Sequence, residues 1–430
     1  MSAWDRREFL GGLLAGAVGL PSAMGATPLG RTERPDVAVP AVPAVPTDAR
    51  VRDERYWEIV RAQFPIVPGL VLMNAANLCP SPFVVQEAVF ELTRDVDRDA
   101  SSQNRQKLGE LRESARAKVA AHLGADADEI ALVRNTSEAN NTVVAGMDLS
   151  SGDEVVLWDQ NHPTNQLSWE VRARRHGFTV KKVSTPAAPT SAEALMAPFL
   201  DALTPRTRVL SFSHVSNSSG VALPARELCA AARSRGIFVL LDGAQSCGAL
   251  KMDLHAMGCD AYTASAHKWP TGPKEVGILY VRRERAAELW AADVGVGWEG
   301  AEQRGAQKFE SLGQRDDGAV AAIGTAIDFH AAIGAEAIEA RVKELAAAVR
   351  ARVSERIPGT VFHTPADPAL SAGVVVCAPP GLEPRPTLQR LYQEHRIALA
   401  STGGIRISAH LYNTLEEVDR VAEALAAVRA

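Results

Sequence analysis

Between about residue 68 and residue 283 the chain repeats one pattern, a short apolar run followed by an amphipathic stretch of helical length. The runs fall at 70–73, 130–133, 154–158, 180–183, 208–212, 237–241, 261–264 and 276–281. The stretches between them include 110–123, 138–147, 165–176 and 225–235. Consecutive apolar positions predict strands buried on both faces. Their alternation with helices predicts a mostly parallel sheet covered on both sides. After Asp317 the pattern changes: an Ala-rich helical region to about Arg356, a Val run at 374–377, a helix near 387–395, a strand near 405–408 and a final helix at 415–428. The expected fold class is α/β, with a large doubly wound domain over 68–310 and a smaller α+β domain from 51–67 and 311–430. A chain of 430 residues is too long for one compact core, which points to the same division.

Lys and Arg number 46 against 51 Asp and Glu, a net charge of −5, and the charges are dispersed. A nucleic-acid partner asks for a basic face, so that class is disfavoured. The five cysteines, Cys79, Cys229, Cys247, Cys259 and Cys377, form no CxxC pair and no Cys/His cluster, so no structural metal is expected. Most lie among apolar residues, as small buried hydrophobes do. One disulfide stays open if the protein is exported.

The chemistry-bearing residues sit at the ends of the apolar runs. Asp242 closes the run 237–241, and open α/β sheets bind ligands beyond the carboxyl ends of their strands. A buried carboxylate is costly unless a charged group meets it. A pyridinium N–H is such a partner, and a protonated ring nitrogen makes pyridoxal 5′-phosphate (PLP) an electron sink. The next run, 261–264, leads into Ser265-Ala266-His267-Lys268, which sets the lysine 26 residues after Asp242. There a lysine able to form a Schiff base follows two side chains suited to phosphate. Lys251 and Lys274 lack that flank. Phosphate also needs donors at a helix N-terminus. Thr136 and Ser137 follow the run 130–133 and open the next helix, supplying hydroxyls and backbone N–H groups. His162, beyond the run 154–158, suits stacking on the pyridine ring and proton transfer at a substrate Cα. Arg406, on a strand of the smaller domain, suits a bidentate clamp on an amino-acid carboxylate.

This set resembles the class V aminotransferase family, which is fold-type I among PLP enzymes. The resemblance rests on Arg134-Asn-Thr-Ser-Glu138, His162, Ser213-His-Val-Ser-Asn217, Asp242-Gly-Ala-Gln245, Ser265-Ala-His-Lys268, and Arg406 followed by Tyr412-Asn-Thr-Leu-Glu-Glu-Val-Asp419, in order from about residue 56 to the C-terminus. It implies that Lys268 holds PLP, that Asp242 meets the ring nitrogen, that Gln245 bonds the phenolic oxygen and that His162 stacks. Thr136, Ser137, Ser265 and His267 would hold phosphate, Arg406 the substrate carboxylate, and Asn217 would lie beside the ring. The segment Asn74-Ala-Ala-Asn77 would line the substrate mouth, with Asn77 a substrate-binding residue. Two departures matter. Cysteine desulfurases of this family carry a nucleophilic cysteine shortly before the clamp arginine, and residues 397–406 contain none. Gly313-Gln314 replaces a Gly-Thr pair that reaches the partner subunit's phosphate, so Gln314 or Arg315 would take over in an expected homodimer.

The first residues add an address. Arg6-Arg7 precedes Glu-Phe-Leu, no charge falls between Phe9 and Arg31, and small residues lie near Ala23-Met24-Gly25. Residues 1–26 resemble a twin-arginine (Tat) export signal, and the Pro/Ala-rich 27–50 reads as an extended spacer. The Tat machinery carries folded proteins, which suits an enzyme that must first fold around PLP. The expectation is a periplasmic enzyme of the isopenicillin-N-epimerase-like branch. It would act at Cα of an amino-acid moiety by transamination, epimerisation or decarboxylation-type chemistry. A peptide or siderophore side chain is the expected substrate, as in pyoverdine-type tailoring. The alternatives are a cysteine desulfurase or lyase, or a non-catalytic binding protein; losing Lys268 or Asp242 would mark the latter, and both are present.

Overall fold

The computed structural model describes residues 54–429, so the segments expected to form an export signal and a spacer fall outside the described residues. The strands in chain order are β1 (Val71–Leu72), β2 (Ile130–Val133), β3 (Glu154–Trp158), β4 (Thr179–Val183), β5 (Thr207–Ser213), β6 (Phe238–Asp242), β7 (Ala261–Ser265) and β8 (Gly277–Val281). From β2 onward they form one seven-stranded sheet in the order β2-β8-β7-β6-β5-β3-β4. The pairs from β7 to β4 are parallel, whereas β8 is antiparallel to both β7 and β2. The direction therefore reverses twice, and β2 points the same way as the parallel strands. The carboxyl ends of β2, β3, β5, β6 and β7 all open on one edge of the sheet.

Every residue of β2, β3, β6, β7 and β8 is buried, because successive side chains enter opposite cores. Leu132, Val156, Phe212, Val239 and Ile278 meet helices Ser102–Leu123, Ala225–Arg233 and Asp317–Ile333. Val133, Leu157, Val209, Leu240 and Leu279 meet helices Thr136–Gly146 and Pro163–His176 on the other face. Each fully buried aliphatic side chain contributes about 1.5–3 kcal/mol, so this double burial fixes the strand positions. The two edges are managed differently. The β4 edge carries Lys181 and Lys182, paired with Glu154 and Glu170. At the β2 edge, Leu132 N–H donates to Glu310 and Leu132 C=O accepts from Arg315, two side chains standing in for a neighbouring strand.

The C-terminal part adds β9 (Val361–Phe362), β10 (Val375–Ala378), β11 (Ile397–Ala398), β12 (Ala400–Ser401) and β13 (Ile405–Ile407). An antiparallel sheet runs β12-β13-β10-β9, and β1 pairs in parallel with β11. Helices Ala335–Arg356 and Leu415–Arg429 cover it through Leu345, Val349, Val421 and Leu425. The doubly wound large sheet with a smaller α+β part is the fold class expected. Two details differ from the pattern. The run at 70–73 does not enter the large sheet but pairs with β11. The Ala-rich region from 317 is two helices bent by 78°, separated at Gly334, whose φ of 97° ends the first helix.

Candidate functional site

A cavity of about 210 Å³ opens at the carboxyl edge of the large sheet. Thr136, Ser137, His162, Asn217, Asp242, Gln245, Ser265, His267 and Lys268 all line it. These residues span more than a quarter of the sequence, and the parallel strand direction alone brings them together.

The Thr136 corner is built first. Asn135 caps helix Thr136–Gly146, its side chain accepting from Glu138 N–H at 3.0 Å. Thr136 N–H donates to Ser265 Oγ at 2.9 Å, and the two hydroxyls lie 2.7 Å apart, so β2 and β7 share one polar cup at a helix N-terminus. A Cβ on Gly277 would sit 2.6 Å from Asn135 backbone, so only glycine lets β8 begin beside this corner.

Asp242 is buried to 3% exposure. Its Oδ2 accepts from Asn140 Nδ2 at 2.9 Å and its Oδ1 from Ala244 N–H at 3.0 Å. Thr263 Oγ1 donates to Asn140 Oδ1 at 2.8 Å, which fixes that amide with its donor toward the acid. A Cβ on Gly243 would fall 1.9 Å from the Tyr262 ring, so the chain can turn away from Asp242 only there as glycine. No basic side chain hydrogen-bonds Asp242 among the described residues. Lys268 lies within its field: burial lowers the lysine pKa and the Asp242 charge raises it, burial prevailing. A buried carboxylate facing a cavity, held by neutral donors only, fits a pyridinium N–H as its missing partner.

His162 caps helix Pro163–His176, its Nδ1 accepting from Thr164 N–H at 3.3 Å and lying 2.7 Å from Thr164 Oγ1. An Nδ1 that accepts from a backbone N–H leaves the proton on Nε2. Burial and then the Lys268 charge lower the His162 pKa, so the ring stays neutral and suited to stacking. His267 is pushed down to about 4 by burial, then by Lys268 and Lys274, so it meets an anion as a neutral N–H donor.

Arg406, on β13, is 5% exposed. It donates to Asn74 Oδ1 at 3.0 Å and to Asn217 C=O at 3.4 Å, while among the described residues its Nε has no partner and no carboxylate pairs with it. Burial pulls its guanidinium down to about 10. Asn77 is exposed, outside the cavity lining, and only closes a backbone turn onto Asn74 C=O. The residue of that segment in contact with Arg406 is Asn74. Gln314 is exposed and accepts from Arg105 at 2.8 Å. Arg315 turns inward onto Leu132 C=O. All five cysteines are free and buried, and none lines the cavity. Cys377 lies within β10, its thiol pushed up to about 12 by burial.

Asn140 and Thr164 are site residues absent from the sequence reading, and within the segment 74–77 that reading singled out Asn77 rather than Asn74. Asn140 stands one helical turn after Thr136 and so faces the same way, a signal that was available. Thr164 has no comparable signal.

The family model for aminotransferase class V matches residues 84–421. The isopenicillin N epimerase of Streptomyces clavuligerus is 34% identical over 391 residues, covering 86% of this chain and 98% of that one. A probable cysteine desulfurase of Methanothermobacter thermautotrophicus is 29% identical, covering 86% and 97%. Among solved structures, a C-DES mutant with glycine covalently linked to the PLP cofactor superposes with a TM-score of 0.77 at 26% identity, covering 85% of this chain and 98% of that one. With the polar cup, the buried acid and Lys268 gathered in one cavity, the chain belongs to the class V aminotransferase family and is a PLP enzyme.

Proposed function

We propose that this enzyme exchanges the Cα proton of an amino-acid moiety, in the manner of the isopenicillin-N-epimerase-like branch, on a peptide or siderophore side chain. The carrying observation is a cavity lined by Lys268 and by Asp242, a buried acid with no cationic hydrogen-bond partner among the described residues, next to the buried Arg406 guanidinium, which has no carboxylate partner among them. Bound PLP supplies the electron sink that makes a Cα–H acidic. Lys268 would hold the cofactor and carry the proton at Cα. Asp242 would keep the ring nitrogen protonated, and His162 would cover the ring face. Thr136, Ser137, Ser265 and His267 would bind phosphate, and Arg406 would fix the substrate carboxylate, setting which bond at Cα lies across the ring. The export signal and a homodimer belong to the same reading. In it Gln314, which is exposed, is better placed to reach a partner than Arg315, which is tied to β2.

Borohydride reduction of the yellow protein is expected to bleach it and to leave the pyridoxyl label on Lys268, read by peptide mass spectrometry. Label on Lys251 or Lys274 sinks the assignment.

The desulfurase-like relatives favour a second reading, elimination of sulfur from cysteine or cystine. No thiol reaches the cavity, so persulfide transfer to the protein has no acceptor there, although lyase chemistry needs none. Incubation in D2O separates the two. Solvent deuterium should enter Cα of a terminal amino-acid moiety of a peptide, with little sulfide from cysteine or cystine. Rapid sulfide release without Cα exchange makes the enzyme a lyase.

A further inference from the structure

Gln245 is held from both ends by groups that each accept only one orientation of its amide. Ala76 C=O can only accept, and Gln245 Nε2 lies 3.0 Å from it. The Trp269 indole N–H can only donate, and it meets Gln245 Oε1 at 2.8 Å. A flipped amide would set donor against donor and acceptor against acceptor. Nε2 has a second hydrogen, and Gln245 lines the cavity, so the group turned to a ligand there is a donor.

Both grips lead back to the chain just after Arg406. Ser408 holds the Ala76 segment: its C=O accepts from Ala75 N–H at 3.0 Å and its Oγ from Ala76 N–H at 3.2 Å. His410 holds Trp269: its Nε2 lies 2.7 Å from Trp269 C=O. Facing a carbonyl, Nε2 must carry the proton, which leaves Nδ1 bare, and Nδ1 has no partner. Gln245, Trp269 and His410 are all buried, the last two to 0% exposure, so water cannot substitute for these bonds.

We propose that Trp269 and His410 are positioning residues that lock the Gln245 amide with its N–H toward the phenolic oxygen of PLP, and so join the Arg406 strand to the cofactor's electronics. This rests on the reading that Lys268 holds PLP. A donor at the phenolic oxygen draws charge from it and weakens its hold on the Schiff-base proton. Without the lock the Gln245 N–H is no longer held in line with the phenolic oxygen, that donor bond weakens, and the Schiff base keeps its proton to higher pH.

The test is a pH titration of the visible absorbance of the holoenzyme. Trp269→Phe and His410→Leu are each expected to retain PLP through dialysis, because the phosphate cup is untouched. In each, the midpoint for loss of the Schiff-base proton should rise by about one unit, a tenfold change in that equilibrium. His410→Gln, which keeps an N–H donor near the Trp269 carbonyl, should return the midpoint toward that of the parent. A merely structural role would lower thermal stability and leave the midpoint in place. Unmoved midpoints in folded, PLP-loaded variants overturn the proposal, as does His410→Gln behaving like His410→Leu. If Trp269→Phe does not fold, the His410 pair decides alone. Borohydride labelling of the parent separates the two readings. Label away from Lys268 means the cofactor assignment has failed, whereas label on Lys268 with unmoved midpoints means only the lock has failed.

Discussion

Asp242→Asn is expected to fold, to stay yellow, and to lose activity by about 10²–10⁴-fold, because breaking a buried ion pair from one side costs ~3–5 kcal/mol and each 1.36 kcal/mol is a decade in rate. The substitution is nearly isosteric, so the packing around β6 survives. PLP remains bound through Lys268 and the Thr136–Ser265 cup, neither of which touches the acid. What disappears is the charge that holds the ring nitrogen protonated. Geometry adds a second cost. Both Asp242 oxygens accept, one from Asn140 and one from Ala244, and an amide keeps only one acceptor. The other end would set N–H₂ against N–H₂, so a modest loss of stability should accompany the loss of rate. Adding Asn140→Asp would restore the hydrogen bond and return the charge one bond further from the ring. Stability should recover while activity does not. Steady-state rates and thermal unfolding on both proteins check this. An Asp242→Asn enzyme within tenfold of the parent means the ring nitrogen need not be protonated here.

Four of the residues legible from sequence share one property: each closes an apolar run. Thr136, His162, Asp242 and Lys268 follow strands whose side chains are buried throughout β2, β3, β6 and β7, so a local pattern placed each at the same sheet edge. The residues that were not legible depend on partners remote in the chain. Asn140 acts on Asp242 across 102 positions. Arg315 shows the same limit in reverse. Its place in the motif points outward to a partner subunit, whereas its side chain is held by Leu132 C=O, which no local pattern announces. The 70–73 run reads as a large-sheet strand because its apolar character is the same; only pairing with β11 distinguishes it. The break at Gly334 is hidden by the Ala-rich composition on either side, since one glycine within a helix is tolerated unless it takes a positive φ.

Arg406→Gln should separate function from stability. The guanidinium is buried and, among the described residues, has no carboxylate partner and leaves its Nε unbonded, so these residues hold a cation in the interior without pairing it. Burial pulls its pKa only to about 10, so it stays charged at neutral pH and its desolvation is not relieved by losing the proton. Such a cation is tolerable where a ligand brings the anion. Removing it from the free enzyme takes away that burden, and Arg406→Gln should unfold at the same temperature as the parent or higher. Removing it from the complex leaves the substrate carboxylate buried and unpaired, at ~3–5 kcal/mol, so kcat/KM toward a carboxylate-bearing substrate should fall by about 10²–10⁴-fold. Both kcat and KM should suffer, because the same contact holds the carboxylate and aims the Cα–H bond across the ring. Toward an amine that lacks the carboxylate, parent and variant should be equally poor. Arg406→Lys should recover part of the binding but little of the aim, since a point charge cannot reproduce a two-pronged grip. Thermal melts and kcat/KM for the carboxylate and amine substrates, measured on the same preparations, decide the matter. A variant that melts well below the parent yet retains kcat/KM within fivefold would make Arg406 a structural link between β13 and Asn74.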